Sequence, residues 1–320
     1  MRSALAVLFL VGLQAATAQD LPVQGPVLGY AWDVASSRLR PILGIPGSSL
    51  LGTPLDLGTS LKLAEVSPRQ NYALAISADS GARVVHLTGG FSIQPIPGVD
   101  PEADRIALSP IGSAAAIYSQ GRQTLQVVTR LPDAPSAASV ALPGLLTALA
   151  VDDSGDLVLA VSGEQLFALG PRKEPRPLGP AGAAAAIAFA ENSREALVAD
   201  PARKEVFLLR GDNERLILAG ERDGVQDPVA AALAGRRGFV ADRSLNTILL
   251  VDLAGGPAAV ISCPCEVTGL QRLRGDALFR LTASLQSASY LLEAGAAEPR
   301  LWFVPADAPV HARPPRERSR

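Results

Sequence analysis

The sequence predicts an all-β fold, a β-propeller of seven blades, each a four-stranded antiparallel sheet. Three observations predict it. Blocks of similar pattern recur roughly every 40 residues, the spacing of propeller blades. The apolar runs inside each block are short, about 5–7 residues, and stop at Pro, Gly, Asn or Asp, as strands do. Hydrophobic residues make up 48% of the 320 while aromatics make up 4%, so a large core must be filled with small aliphatics.

The blocks follow one another in order. They begin at Leu63 (LAEVSPRQNYALAISADSGARVVHL), Ile106 (IALSPIGSAAAIYSQGRQTLQVVT) and Ala148 (ALAVDDSGDLVLAVSGEQLFAL). The next three begin at Ala186 (AIAFAENSREALVADPARKEVFLL), Ala230 (AAALAGRRGFVADRSLNTILLVDL) and Leu270 (LQRLRGDALFRLTASLQSASYLLE). Their first turns fall at Pro68, Pro110, Asp153, Glu191, Gly235 and Gly275. A fourth short run follows in most blocks, such as SIQPIPG, SVALPG and RLWFVPA. Runs such as DLVLAV are apolar throughout, which fits strands covered on both faces by neighbouring sheets. One such sheet cannot hide both faces alone, whereas radial stacking hides them. The stretch Ala181–Ala190 favours helix by propensity, yet it sits where other blocks place a strand, and small residues suit the crowded hub.

Six complete units run from about Leu57 to Asp307, and Val27 to Asp56 supply a partial one in the register of the middle strands. Dividing the expected mature length by a repeat of roughly 41 gives about seven, so the first blade is expected to be degenerate. Six blades plus an added hairpin is the alternative.

The segment GFVADRSLNTILLVDL, Gly238–Leu253, resembles the NHL and YVTN propeller repeats, which carry a VAD…N-x-I-x-V signature. ALVADPARKEVFLL repeats it with Asp200, and LGYAWDVASSRLRPIL echoes it with Asp33. LSPIG at Leu108–Gly112 is similar to the Ser-Pro-Asp-Gly turn of related propellers, with Ile111 in place of the acid. The resemblance implies a propeller and leaves function open, since such repeats serve enzymes and binding modules alike.

Residues 1–18 read as a secretory signal peptide: Arg2, the apolar run Ala4–Leu13, then Ala16-Thr17-Ala18 before a mature start at Gln19. A spanning helix needs about 20 apolar residues, which this run does not reach, and no later run does. A periplasmic or extracellular location follows, with the propeller over 19–307. The tail 308–320, broken by prolines and charged, is expected to be disordered. The formal charge of −2 and the dispersed Lys and Arg argue against nucleic-acid binding.

The only two cysteines, Cys263 and Cys265, stand in CPCEV. An oxidising compartment favours a disulfide between them. In an extended strand their Cα atoms would lie about 6.6–6.8 Å apart, the outer edge of bridging range, so a bridge requires a kink. Unpaired or intermolecular thiols, or a metal or redox site, are the alternatives. VDDSGD, with Asp152, Asp153 and Asp156, loosely evokes a calcium loop, but it matches the first turn of the other blocks. Asp33, Asp200 and Asp242 recur at the second turn, where an Asp accepts N–H bonds from its own turn. Trp32 and Trp302 are expected to be core or closure residues.

Phosphate-binding loops, nucleophile elbows and zinc-protease helices do not occur in the sequence. The histidines are His86, in a strand pattern, and His311, in the tail. No catalytic, cofactor-binding or metal-binding residue is assigned. The favoured reading is a monomeric, non-catalytic module that binds a protein or small ligand on one face of the disc. A hydrolase or lyase acting on sugars or lactones through carboxylates at the channel mouth is the alternative, and a structural module of an envelope assembly is a third.

Overall fold

A computed structural model describes residues 25–77, 81–211, 213–275, 277–282, 285, 288–295 and 298–306. The expected signal peptide and tail lie outside them. The described chain forms seven antiparallel meanders, each a separate sheet. Blade one holds β1 (Val27–Asp33), β2 (Arg38–Ile45) and β3 (Ser48–Leu51). Blade two holds β4 (Leu61–Val66), β5 (Tyr72–Ser77), β6 (Gly81–His86) and β7 (Ser92–Pro95). Blade three holds β8 (Arg105–Leu108), β9 (Ala114–Ser119), β10 (Thr124–Thr129) and β11 (Ser136–Val140). Blade four holds β12 (Leu146–Val151), β13 (Val158–Ser162), β14 (Gln165–Leu169) and β15 (Arg176–Pro180). Blade five holds β16 (Ala186–Phe189), β17 (Ala196–Asp200), β18 (Glu205–Arg210) and β19 (Glu214–Ala219). Blade six holds β20 (Pro228–Ala234), β21 (Arg237–Asp242), β22 (Thr247–Asp252) and β23 (Ala259–Ser262). Blade seven holds β24 (Gln271–Arg272), β25 (Leu278–Arg280), β26 (Ser289–Glu293) and β27 (Arg300–Val304). A 3-10 turn at Glu221–Asp223 is the one helical element among the described residues.

Burial explains the closed ring. The second strands β5, β9 and β17 are buried along their whole length, because a neighbouring blade covers each face. Outer strands such as β7 and β23 are largely open to solvent. The core is seven apolar clusters, one per blade interface. Tyr72 and Ile76 meet Ile117 between blades two and three, and Phe239 meets Phe279 between six and seven. The ring closes the same way: Leu28, Ile42 and Leu51 of blade one pack on Leu273, Leu291 and Val304 of blade seven. Each interface therefore hides two greasy sheet faces that neither blade could hide alone.

The Ala-rich stretch is resolved as its repeat position demanded. Ala186–Phe189 is the inner strand of blade five, and it touches the inner strands of blades four and six. Non-local pairing overrides the helical preference of alanine here. Both tryptophans serve the ring: Trp32 packs in the cluster between blades one and two. Trp302 lies over the β2–β3 hairpin, where a Cβ on Gly47 would come within 2.8 Å of the indole. That glycine also has φ +84°, so the hairpin needs it twice over.

Blade one is the degenerate blade. Its three strands match the second, third and fourth strands of the others. β1 is buried like the second strands, and the β1–β2 turn carries Asp33 as the β17–β18 and β21–β22 turns carry Asp200 and Asp242. Among the described residues, no strand of blade one takes the innermost position.

Candidate functional site: the axial channel

The first strands of blades two to six stand side by side around the axis. They enclose a cavity of ≈ 540 Å³ walled by residues such as Ala107, Leu149, Ile187, Val229 and Leu270. The alternation that buries one side chain in each blade interface leaves small aliphatics at the lumen. Glu65 breaks the pattern. It is the penultimate residue of β4, where the inner strands of blades three to six carry Ala107, Ala150, Ala188 and Leu233 and that of blade seven carries Gln271.

Glu65 is half-buried and lines the lumen. Desolvation pushes its carboxyl from the ordinary 4.5 up to about 7, against the opposing pull of Arg280. Arg280 is itself buried, and desolvation lowers it to about 10, with Glu65 pulling it back up. Its Nε donates to Gln271 Oε1 at 2.9 Å, and Gln271 Nε2 donates to the backbone carbonyl of Tyr30 at 3.1 Å.

This polar network lies along the inner edge of β1, which pairs with no inner strand among the described residues. In blade one, Tyr30 turns its N–H and C=O away from β2 and toward the hub. A buried strand edge needs partners for both. Gln70, from the first turn of blade two, accepts the Tyr30 N–H at 2.7 Å, and Arg274 donates its own N–H to the Leu28 carbonyl at 2.7 Å. Gln70 Nε2 continues to the Arg272 carbonyl at 2.6 Å, so one fully buried amide joins blades one, two and seven. Gly29 makes the approach feasible, because a Cβ there would sit 2.8 Å from Gln70 Oε1.

The channel has two mouths. On the face of the first turns, a cavity of ≈ 280 Å³ lies between Pro68, Arg69, Glu191, Arg272 and Arg274. Arg272 Nη1 and Glu191 Oε1 form an ion pair there at 2.5 Å. On the opposite face, Arg105, Asp227 and Arg243 surround the opening, with Arg243 paired to Asp227 at 2.9 Å.

The aspartates singled out in the sequence are structural. Asp242 is buried and accepts from Leu245 N–H and Ser244 Oγ in its own turn, and from Gln226 and Asp227 N–H in the incoming loop. Asp200 does the same with Ala202, Arg203 and Gly182. Asp33 accepts Ala35 N–H and Ser36 Oγ in its own turn, and its Oδ2 lies 3.9 Å from Nη1 of the buried Arg40 of β2. In the VDDSGD loop, Asp153 accepts Ile111 N–H with one oxygen and Asn192 N–H with the other, tying the first turns of blades three, four and five together. Asp152 takes Leu157 N–H and Ser154 Oγ. The oxygens of both residues are thus committed to protein donors.

Cys263 and Cys265 lie just after β23, in the loop that leads to blade seven. The two sulfurs are 2.00 Å apart. The chain has left the extended strand, and a bend at Pro264 brings the Cα atoms to 5.1 Å, inside the bridging range. Cys263 is buried in the cluster between blades six and seven. His86 ends the third strand of blade two, opposite Tyr72 and Ser92, away from the channel lining. His311 lies outside the described residues.

Sequence reasoning missed Glu65, Gln70, Glu191, Arg272 and Arg280. The one available signal was a charge inside an apolar strand: Glu65 in LKLAEV and Arg280 in LFR.

Fold and site together define a seven-bladed β-propeller with an aliphatic axial channel and a polar hub. No protein-family model matches the sequence, and no curated protein sequence matches it. Among solved structures, the chain is similar to virginiamycin B lyase from Staphylococcus aureus, with TM-score 0.53 and 10% identity over 76% of this chain and 90% of that one. It is similar to the WD40 repeats of RRP9, with TM-score 0.56 and 13% identity over 78% and 82%. It is also similar to a functionally unknown protein from Desulfotomaculum acetoxidans, with TM-score 0.58 and 11% identity over 87% and 100%. At these identities the likeness is one of fold. No helix among the described residues is long and apolar enough to cross a membrane.

Proposed function

We propose that the protein is an exported, non-catalytic propeller that binds a small ligand in its axial channel. The observation that carries this reading is the lumen itself: ≈ 540 Å³ of mostly aliphatic wall with Glu65 as its one carboxyl. Pockets of this size and lining suit organic ligands, with a few polar groups fixing orientation. Carboxylate-based hydrolysis asks for two acids about 5–9.5 Å apart. Near the channel, Glu191 and Asp227 are each ion-paired at a mouth.

Export rests on residues 1–18 as a cleaved signal peptide and on the adjacent cysteine pair, which an oxidising compartment keeps bridged. Residues 19–307 would then form one domain built of NHL/YVTN-like repeats. N-terminal sequencing of the protein recovered outside the cytoplasm tests this, with Gln19 as the expected first residue.

A thermal-shift screen tests the binding reading, because a ligand of the native state raises its melting temperature by mass action. Small amphiphiles are expected to raise it in the wild type. Ala107→Trp, which narrows the lumen, should abolish those shifts; shifts that persist in that variant place the ligand elsewhere. The alternative, a lyase or hydrolase, draws on the structural neighbour that is a lyase. Turnover that is lost in Glu65→Gln would favour it.

A further inference from the structure

We infer that the mouth on the first-turn face is an anion entrance, and that the ligand is a carboxylate with an aliphatic body. This deepens the channel reading and rests on it. Three guanidinium groups, Arg69, Arg272 and Arg274, meet one carboxylate, Glu191, around ≈ 280 Å³. Asp153 stands behind Ile111 at the rim, with its two oxygens held by backbone N–H groups.

The three arginines differ in what holds them. Arg274 gives its guanidinium to the carbonyls of Val27 and Gln70, at 3.4 and 3.0 Å, so it supplies field rather than a free fork. Arg69 is exposed and has no hydrogen-bond or ion-pair partner among the described residues. Arg272 is anchored by its backbone, whose carbonyl accepts from Gln70, while its side chain reaches from blade seven to Glu191 of blade five, passing blade six. That ion pair is partly open to water, at 26% and 43% side-chain exposure, and an open pair holds weakly. An incoming carboxylate can replace Glu191 on Arg272, since the guanidinium fork matches a carboxylate in two parallel bonds. Arg69 would be its second partner. Glu191 therefore acts as a latch.

Behind the latch the wall turns apolar. The mouth and the lumen share Pro68, Pro110 and Arg272 in their walls, so they are continuous. A carboxylate held at Arg272 directs its body past Leu108 and Ala107 into the lumen. Neither a bare anion nor a neutral chain satisfies both parts.

Isothermal titration of the full chain with octanoate, acetate, 1-octanol and phosphate tests the inference. Octanoate is expected to bind at least tenfold more tightly than the other three. Arg272→Gln should weaken octanoate at least tenfold, and Arg69→Gln severalfold. Glu191→Gln should strengthen it severalfold, a gain that a folding defect does not produce. Octanoate that is not bound, or is bound equally by Arg272→Gln, or is weakened by Glu191→Gln, overturns the inference. The two readings separate cleanly. Octanoate binding that needs Arg272 but survives Ala107→Trp keeps the anion mouth, overturns the aliphatic-body part and removes the channel. A neutral amphiphile that binds the wild type and not Ala107→Trp, while octanoate fails, keeps the channel and removes the anion mouth.

Discussion

Gln70 Oε1 accepts the backbone N–H of Tyr30 at 2.7 Å, although the two residues belong to different blades. This side chain stands in for part of a strand. Replacing it with alanine leaves the Tyr30 N–H and the Arg272 carbonyl unpartnered in a buried place, each at about 1–3 kcal/mol. Gln70→Ala should therefore lower stability by about 3 kcal/mol, or roughly 5 °C in melting temperature for a domain of this size. Chemical and thermal denaturation measure it. A loss under about 1 kcal/mol would mean that water substitutes for the amide.

Glu65 makes stability depend on pH. Its folded value, about 7, lies above the ordinary 4.5. Between the two, the folded chain keeps a proton that the unfolded chain has released, so stability falls as pH rises and levels off above 7. The drop from this group is about 2–3 kcal/mol, the free energy of a shift of that size with allowance for the lumen. Glu65→Gln should flatten the difference curve between pH 5 and 7 in urea denaturation. Parallel curves for the two proteins would contradict the assignment.

Two of the turn aspartates should rank by reach. Asp242→Ala removes four bonds and frees the loop into blade six from the turn it is tied to. A loss of about 3–5 kcal/mol is expected for such a buried network. Asp33→Ala breaks two turn bonds and a long 3.9 Å contact to Arg40, which keeps its bonds to the Gly52 carbonyl, and should lose about 1–2 kcal/mol, the range of a helix or turn cap. Equal losses would show that the loop contact contributes nothing.

The cysteine pair closes a loop with a sequence separation of 2. A ring that small removes little chain entropy, so reduction should lower stability by only about 1.5 kcal/mol. Intact mass spectrometry should find the unreduced protein lighter by two hydrogens, and an alkylating reagent should label neither thiol before reduction. Labelling of the unreduced protein would show the bridge to be absent.

The repeat was legible because its determinants are local. Gly, Pro and Asp at the turns, and aliphatic runs between them, fix where strands stop and which faces are covered. The degenerate first blade could be read from GYAWDVASSRLRPIL, which keeps the second-turn Asp of its neighbours. The cysteine bend was legible in part: adjacency required a kink, and Pro264 marks where the chain leaves the strand.

By itself, then, the sequence determined the seven-blade meander, the core of small aliphatics and the capping role of Asp200 and Asp242, since each depends on residues a few positions apart. The hub was decided only in three dimensions. Glu65, Gln70, Glu191, Arg272 and Arg280 come from blades two, five and seven, and no spacing in the chain links them. Gln70, Arg272 and Arg280 meet because closing the ring brings blades one, two and seven together, and the inner edge of β1, which no strand among the described residues pairs, takes polar partners from its neighbours; Glu191 reaches Arg272 across the mouth.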